Sequence, residues 1–394
     1  MFENKKLLYD LFCAYYDARK NKRFTINALA FEIDYESKLF SLYNEIKNKT
    51  YKIGQSICFI SFKPIKREIF AADFRDRIVH HLIYNYINPI FEKLFLNDIY
   101  SCRVGKGTSY GIQRINHFIR SCSLNYKKEC YILKLDIKGY FMSIDKHILY
   151  KKVEKNLKNY QKNNNFNINF ILRIIHKVIF NNPVENCIIK GKREYWKGLP
   201  KSKSLFYSGK DKGLPIGNLT SQLFANVYLN DFDHFVKYKL GCKYYGRYVD
   251  DIVIVHNDRE YLKSIIPIIK RYLKKELLIE LHPKKIYLQH FSKGIAFLGT
   301  IIKPYRIYIN NKTKGNFYKK IQQFKLPKEK ENIYNFKDIR LKFLSSINSY
   351  LGAMKNYNTL KLRRKILINN LLPNFYPCVY TVGNYDKICI KYKT

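Results

Sequence analysis

Two adjacent carboxylates, Asp250 and Asp251, stand between apolar runs in the stretch GRYVDDIVIVHND. Side by side and unpaired they repel each other, and burial would raise the pKa of one member. A divalent cation removes that conflict, and hard oxygen donors suit Mg2+, which takes one or two carboxylates together with substrate phosphates. Asp136, at the end of the apolar run in YILKLDIKGYF, is a third acid. It would complete a two-metal site suited to in-line displacement at phosphorus. The Asp-Asp dipeptide alone reads more simply as a surface hairpin turn. Two features weigh against that: the pair follows Tyr248 and Val249 instead of Gly or Asn, and Asp136 terminates an apolar strand of its own.

The surrounding sequence must supply elements that hold these acids. Residues 1–50 have a helical pattern, with Leu7, Leu8, Leu11, Phe12 and Tyr15 at helical spacing. Residues 51–72, rich in Ile, Phe and Tyr and punctuated by Gly and Pro, predict two strands and a turn. Helix returns from Asp73 to Phe95. Residues 131–136 form a short strand, with helical segments after it to about Phe180. A polar loop, KGLPKSKSLFYSGKDKGLPIG, precedes a long helix from about Asn218 to Lys239. Strands near Cys242–Tyr248 and Ile252–His256 flank the paired acids, and a helix covers about Arg259–Leu277. The stretch QQFKLPKEKEN reads as a linker before a mainly helical C-terminal region.

Composition narrows the partners. With 46% apolar and 16% aromatic residues in 394, the chain should fold, with room for two or three domains. Lys and Arg number 73 against 31 Asp and Glu, and residues 303–394 hold 20 against 4. Such an excess suits a polyanion, nucleic acid above all. A compositional bias explains abundant Lys, Asn, Ile and Tyr, but not so few acids. Nine scattered cysteines with no C-x-x-C argue against a disulfide framework or a zinc pattern. Neither a signal peptide nor an apolar run of spanning length is visible, so the expectation is a cytoplasmic protein with no membrane partner.

Seven blocks in order carry a resemblance. YVDD at Tyr248–Asp251 and LDIKGYF at Leu135–Phe141 look like the palm motifs of reverse transcriptases. KREIFAADFRDRIVHHLI (Lys66–Ile83) resembles the fingers block, and SCRVGKGTSYGI (Ser101–Ile112) the segment after it. GLPIGNLTSQLFANVYLNDFDHFV (Gly213–Val236), LHPKKIYLQ (Leu281–Gln289) and FLG (Phe297–Gly299) resemble the following loop and helix, the fourth palm motif and the primer-grip turn. Any one block is a weak signal; seven in order are a strong one. The resemblance implies an α+β right-hand polymerase. It divides into an N-terminal helical extension (1–50), fingers (51–130), a palm (131–302, with a fingers-type insertion at about 150–210) and a basic helical thumb (303–394).

The resemblance also assigns roles. Asp136 and Asp250 would hold two Mg2+ ions, Mn2+ being a substitute, with Asp251 as the third acid and the carbonyl of Ile137 toward the second ion. Phe141 matches the ring that blocks a ribose 2′-hydroxyl, implying preference for dNTPs; an ordinary core aromatic is the alternative. Arg67 matches the arginine that pairs with the incoming triphosphate, and Lys66 is a second phosphate candidate or a solvated lysine. Lys285 matches a lysine near the leaving pyrophosphate, a general acid, although Lys284 beside it leaves the register open. Gly217 would let the chain approach the nascent base pair, or is simply a loop glycine. Phe297, Leu298 and Gly299 would grip the primer.

One departure points to a branch. Where most reverse transcriptases read Gln-Gly and end the motif in Ser-Pro, this chain has Ile216-Gly217 and Ser221-Gln222. That form resembles the enzymes of diversity-generating retroelements, which copy a template-repeat RNA into cDNA with errors at template adenines. Ile216 in place of a polar reader would weaken discrimination by on the order of 1–3 kcal/mol; alternatively it packs behind the loop. The resemblance implies template RNA, the RNA/cDNA duplex and dNTPs as ligands. It also implies a small basic oligomeric accessory protein, the accessory variability determinant, and a bacterial or phage setting. The alternatives are a reverse transcriptase of another prokaryotic branch (phage-defence, retron-like or group II intron-like) and a non-catalytic nucleic-acid-binding protein on a polymerase scaffold.

Overall fold

The computed structural model describes residues 2–20, 22, 24–62, 65–160, 166–323, 333–371 and 379–391. Residues 324–332, most of the expected linker, lie outside them. Helices α1 (Phe2–Arg19), α2 (Ile26–Glu32) and α3 (Tyr35–Lys47) lead into β1 (Ser56–Ser61), β2 (Arg67–Ala71), α4 (Phe74–Leu94) and α5 (Thr108–Cys122). Strand β3 (Tyr131–Asp136) precedes α6 (Tyr140–Ser143), α7 (Lys146–Asn159), α8 (Ile168–Phe180) and β4 (Cys187–Ile189). Helix α9 (Leu219–His234), strands β5 (Tyr244–Tyr248) and β6 (Asp251–His256), and helix α10 (Arg259–Leu277) follow. Next come β7 (Tyr287–His290), β8 (Ile295–Phe297), β9 (Thr300–Lys303) and β10 (Arg306–Ile309). The chain then forms α11 (Asn311–Gln323), α12 (Ile333–Met354), α13 (Leu360–Ile366), β11 (Val379–Val382) and β12 (Lys387–Ile390).

The chain divides into two compact units, one of residues 1–107, 133–254 and 260–287, the other of 108–132, 255–259 and 288–394. In the first, β1 pairs antiparallel with β2 and parallel with β4. Asp73 caps α4 by accepting the Arg75 amide, and α4 packs on α1 and α9. Helix α10 buries Leu262, Ile265, Ile269, Leu273 and Leu277, an i, i+3, i+4 stripe along one face. Helix α9 differs: from Thr220 to Asp233 almost every side chain is buried, Ser221, Asn226, Asn230 and Asp233 among them. A helix covered all round must find partners for its polar groups, and those partners lie under the acids. Strands β5, β6 and β3 run side by side in that order, and Ile252–Val255 are buried on both faces of β6.

In the second unit β10, β9 and β8 form an antiparallel meander and β11–β12 a hairpin. Phe317, Ile347, Leu351, Ile366 and Ile388 build its core. Asn348 clamps β12 to α12, donating to the Ile388 carbonyl (2.9 Å) and accepting its amide (2.8 Å).

The described residues beyond the expected linker are mainly helical, and the β11–β12 hairpin is an addition that the pattern did not show. Four-residue strands are too short for alternation to declare itself, and this hairpin draws its apolar cover from α12. The strands around the acids also move: β5 begins at Tyr244, and β6 takes in Asp251. Among the described residues no helix is long and apolar enough to cross a membrane.

Candidate active site

Three carboxylates converge within the first unit. Asp136 is the last residue of β3, Asp250 lies in the two-residue turn between β5 and β6, and Asp251 opens β6. The Ile137 amide donates to the Asp250 carbonyl (3.3 Å), tying the end of β3 to the turn. Burial, then the charges of Asp251 and Asp136, push the Asp250 pKa up to about 6, against help from its own amide and from Lys285. Two lysines partner the other acids: Lys285 Nζ lies 2.9 Å from Asp136 Oδ2 and Lys134 Nζ 3.2 Å from Asp251 Oδ1. Burial opposes the charge on Lys285, but the hydrogen bond to Asp136 and the three carboxylates outweigh it and raise its pKa.

The turn is strained and braced from below. Val249 has φ 56, a left-handed conformation costly for a β-branched residue. Its amide donates to Ser101 Oγ (3.1 Å) and its carbonyl accepts from Arg247 Nη1 (2.8 Å). Arg247 is fully buried and forks onto Asp233 of α9 through Nε (2.7 Å) and Nη2 (2.6 Å). Tyr245 also donates to Asp233 (2.5 Å), and Asn226 links Arg247 Nη1 to Ser101. Asp233 and Asn226 of α9 are therefore linked, through Arg247 and Ser101, to the backbone of the acid-bearing turn.

The other expected residues distribute as follows. Arg67 is exposed on β2, near enough to Tyr248 for its charge to hold down a phenol that burial pushes up. Lys66 donates to the Lys197 carbonyl (2.6 Å) and lies over the Phe62 ring. Phe141 and Ile216 pack against one apolar cluster of Cys58, Phe70, Met142 and Leu205. Gly217 has φ 132, and a Cβ there would lie 2.8 Å from the Phe70 carbonyl oxygen, so the backbone approach that excludes a side chain is one to β2. Ser221 is buried and Gln222 exposed on α9. Lys285, not Lys284, meets Asp136. Phe297, Leu298 and Gly299 belong to the second unit, where Leu298 (φ 46) and Gly299 (φ 87) form the tight turn from β8 to β9.

Among the described residues no three His, Cys, Asp or Glu side chains are gathered closely enough to form a ready-made metal cage. The aspartates nonetheless fit divalent cations in donor chemistry. All their donors are hard oxygens, and the raised Asp250 reports a field that a cation would relieve. Cation entry would exchange Lys134 and Lys285 for the ions.

The same field makes stability pH-dependent without divalent ions. Asp250 keeps its proton up to about pH 6 in the fold, against an ordinary value of 3.8. Between these values the folded state binds more protons, so this group's contribution falls as pH rises through that window and is constant above it. Melting curves of wild type and Asp250→Asn in chelator should coincide near the lower limit and separate toward the upper one. A gap independent of pH would contradict this.

Residues 65–302 match the family model described as reverse transcriptase (RNA-dependent DNA polymerase). The chain belongs to the reverse transcriptase family. The matched domain is that of an RNA-directed DNA polymerase, a nucleotidyltransferase, and the helices and antiparallel sheets agree with a right-hand polymerase fold. Reverse transcriptase domains use divalent metal ions, as the acids would require. No curated protein sequence matches this one significantly. Among solved structures, apo telomerase from Candida tropicalis is similar at 12% identity over 85% of this chain and 64% of that one, with TM-score 0.48. Telomerase from Candida albicans in complex with a fragment of telomeric RNA is 13% identical over 89% and 63%, with TM-score 0.45. This reverse transcriptase chain spans less than two thirds of each of these structures.

Sequence reasoning missed Arg247, Asp233, Asn226, Ser101, Lys134 and Glu68. Lys134 was accessible, since side chains two apart on a strand share a face and Asp136 follows it by two. Arg247 also left a trace, as a charge inside YYGRY in a strand otherwise built to be buried.

Proposed function

We propose that the chain copies RNA into DNA by nucleotidyl transfer at Asp136, Asp250 and Asp251. The observation that carries this reading is the convergence of three carboxylates from two strand ends around a raised Asp250. Asp136, Asp250, Asp251 and the Ile137 carbonyl would hold two divalent ions, Mg2+ with Mn2+ as substitute. Bound there, the ions supply a lowered pKa for the primer 3′-hydroxyl and offset charge on the leaving group. A bond forms from the 3′-oxygen to the α-phosphorus and the bond to the bridging oxygen breaks, releasing pyrophosphate. Lys285, kept protonated by its acid neighbours, holds a proton for that pyrophosphate. Arg67 offers its planar fork to the triphosphate, with Lys66 behind it. Phe141 would press on the sugar, and Phe297–Gly299 would steady the primer. In this reading 51–130 serve as fingers, 131–302 as palm and 303–394 as thumb.

Primer extension on an RNA template with Mg2+ and dNTPs tests the reading. Extension lost in an Asp250→Asn/Asp251→Asn double variant is expected. Equal extension by that variant would sink the assignment.

The finer reading is an enzyme of a diversity-generating retroelement, copying a template-repeat RNA for mutagenic retrohoming. It rests on Ile216-Gly217 with Ser221-Gln222 in place of the usual Gln-Gly and Ser-Pro. An apolar residue there offers no hydrogen bond that would favour the correct pair over a mispair. Ile216→Gln should lower misincorporation opposite template adenines by about five- to tenfold, read by sequencing cDNA. An unchanged error spectrum would move the chain to another prokaryotic branch. The basic 303–394 region would grip template RNA and its cDNA duplex, and a small basic accessory protein completes the assembly.

A further inference from the structure

The segment 190–212 carries eight Lys and Arg against two acids, and those charged side chains are exposed. Three short 3-10 turns, Arg193–Trp196, Lys201–Lys203 and Leu205–Tyr207, give it little regular hydrogen bonding of its own. Something else must hold it, and Glu68 does.

Glu68 lies on β2 directly after Arg67, opposite Ile60 of β1, and is completely buried. Its carboxylate accepts from Trp196 Nε1 (2.7 Å), Ser204 Oγ (2.7 Å) and the Leu205 amide (2.6 Å). All three donors belong to the segment, and all are neutral. A buried carboxylate satisfied by donors from one loop makes that loop's position a condition of its own solvation.

The other side of the segment meets the site. The Ser202 carbonyl presses on Gly139, where φ is 56 and any side chain would collide with it. Gly139 begins α6, which carries Phe141. Leu205 joins the cluster of Cys58, Phe70 and Met142, against which Phe141, Trp196 and Ile216 pack. The Leu214 amide donates to the Phe141 carbonyl (2.8 Å), and Ser208 Oγ to the Met142 carbonyl (3.3 Å).

We propose that Glu68 is a positioning residue that fixes the 190–212 segment between β2 and α6, and thereby sets the Phe141 ring that selects the sugar of the incoming nucleotide. This deepens the polymerase reading and rests on it. Glu68 touches no nucleotide; it acts through the segment.

Glu68→Gln keeps the size but brings an amide into a ring of donors, and Trp196→Phe removes one donor while keeping a ring. Two readouts apply to the full chain. Limited trypsin digestion should cut within 190–212 about tenfold faster in Glu68→Gln, and less so in Trp196→Phe, with other cleavages unchanged. Primer extension should show dNTP KM raised about tenfold with kcat within about twofold, and dNTP-over-rNTP discrimination reduced about five- to tenfold. In a Phe141→Ala background Glu68→Gln should cost no further discrimination, because both act through one ring. An active wild type whose Glu68→Gln variant opens the segment yet keeps its discrimination would overturn the proposal, as would additive losses with Phe141→Ala. A wild type inactive on every template overturns the polymerase reading itself, a different result from either.

Discussion

Asp250→Asn is expected to lower primer extension by at least about a thousandfold while raising the melting temperature of the ion-free protein. The amide keeps the size and one acceptor oxygen but loses the charge that makes the site attractive to cations. At about 1.4 kcal/mol per tenfold, a thousandfold loss corresponds to roughly 4 kcal/mol, within the several kcal/mol that a metal's charge stabilisation supplies. The stability gain has a separate origin. Raising a carboxyl from 3.8 to about 6 represents on the order of 2–3 kcal/mol of unfavourable charging at neutral pH, which the amide does not incur. A gain of roughly 2–5 °C in chelator, alongside lost extension, would separate a functional carboxylate from a structural one. A variant both less active and less stable would place Asp250 in the architecture and not in the chemistry.

Arg247→Met should destabilise the protein by about 3–5 kcal/mol, because Asp233 is left buried and charged without its partner. Arg247 gains its proton affinity from Asp233 despite complete burial, and the two answer each other in a fork. The double variant Arg247→Met/Asp233→Asn removes the stranded charge and leaves Tyr245 an acceptor. Most of the lost stability should return, as when buried ion pairs elsewhere are replaced by neutral groups. Extension should not return with it. The Val249 carbonyl still lacks its Arg247 donor, and a left-handed valine persists only when its surroundings insist on it. Thermal melts read together with kcat decide between support of the fold and support of the turn. Recovery of both would reduce Arg247 to a packing residue.

How far the sequence speaks for itself varies with the kind of information involved. Helix α10 was readable to its ends because its apolar stripe runs the full length of Arg259–Leu277. The strand ending at Asp136 and the hairpin at Asp250 were readable for the same reason, being continuous apolar runs interrupted by acids. The β11–β12 hairpin was not, since each strand spans four residues and its cover comes from a helix distant in sequence. Glu68 and Arg247 were invisible as site residues because burial of a charge is decided by partners 136 and 14 positions away. Gly217 was expected to approach a nascent base pair, whereas the contact seen is with the Phe70 carbonyl, a long-range contact that no local pattern encodes.

The lysine partners of Asp136 and Asp251 carry a consequence for how the enzyme waits. Lys285 and Lys134 set two ammonium groups against three carboxylates, so the centre keeps an excess of negative charge with both lysines in place. Divalent ions bound by Asp136 and Asp251 would have to compete with these two ammonium groups for the same carboxylate oxygens. Synthesis would then follow how well free ions compete with two tethered cations, slowing as the ion level of the surroundings falls.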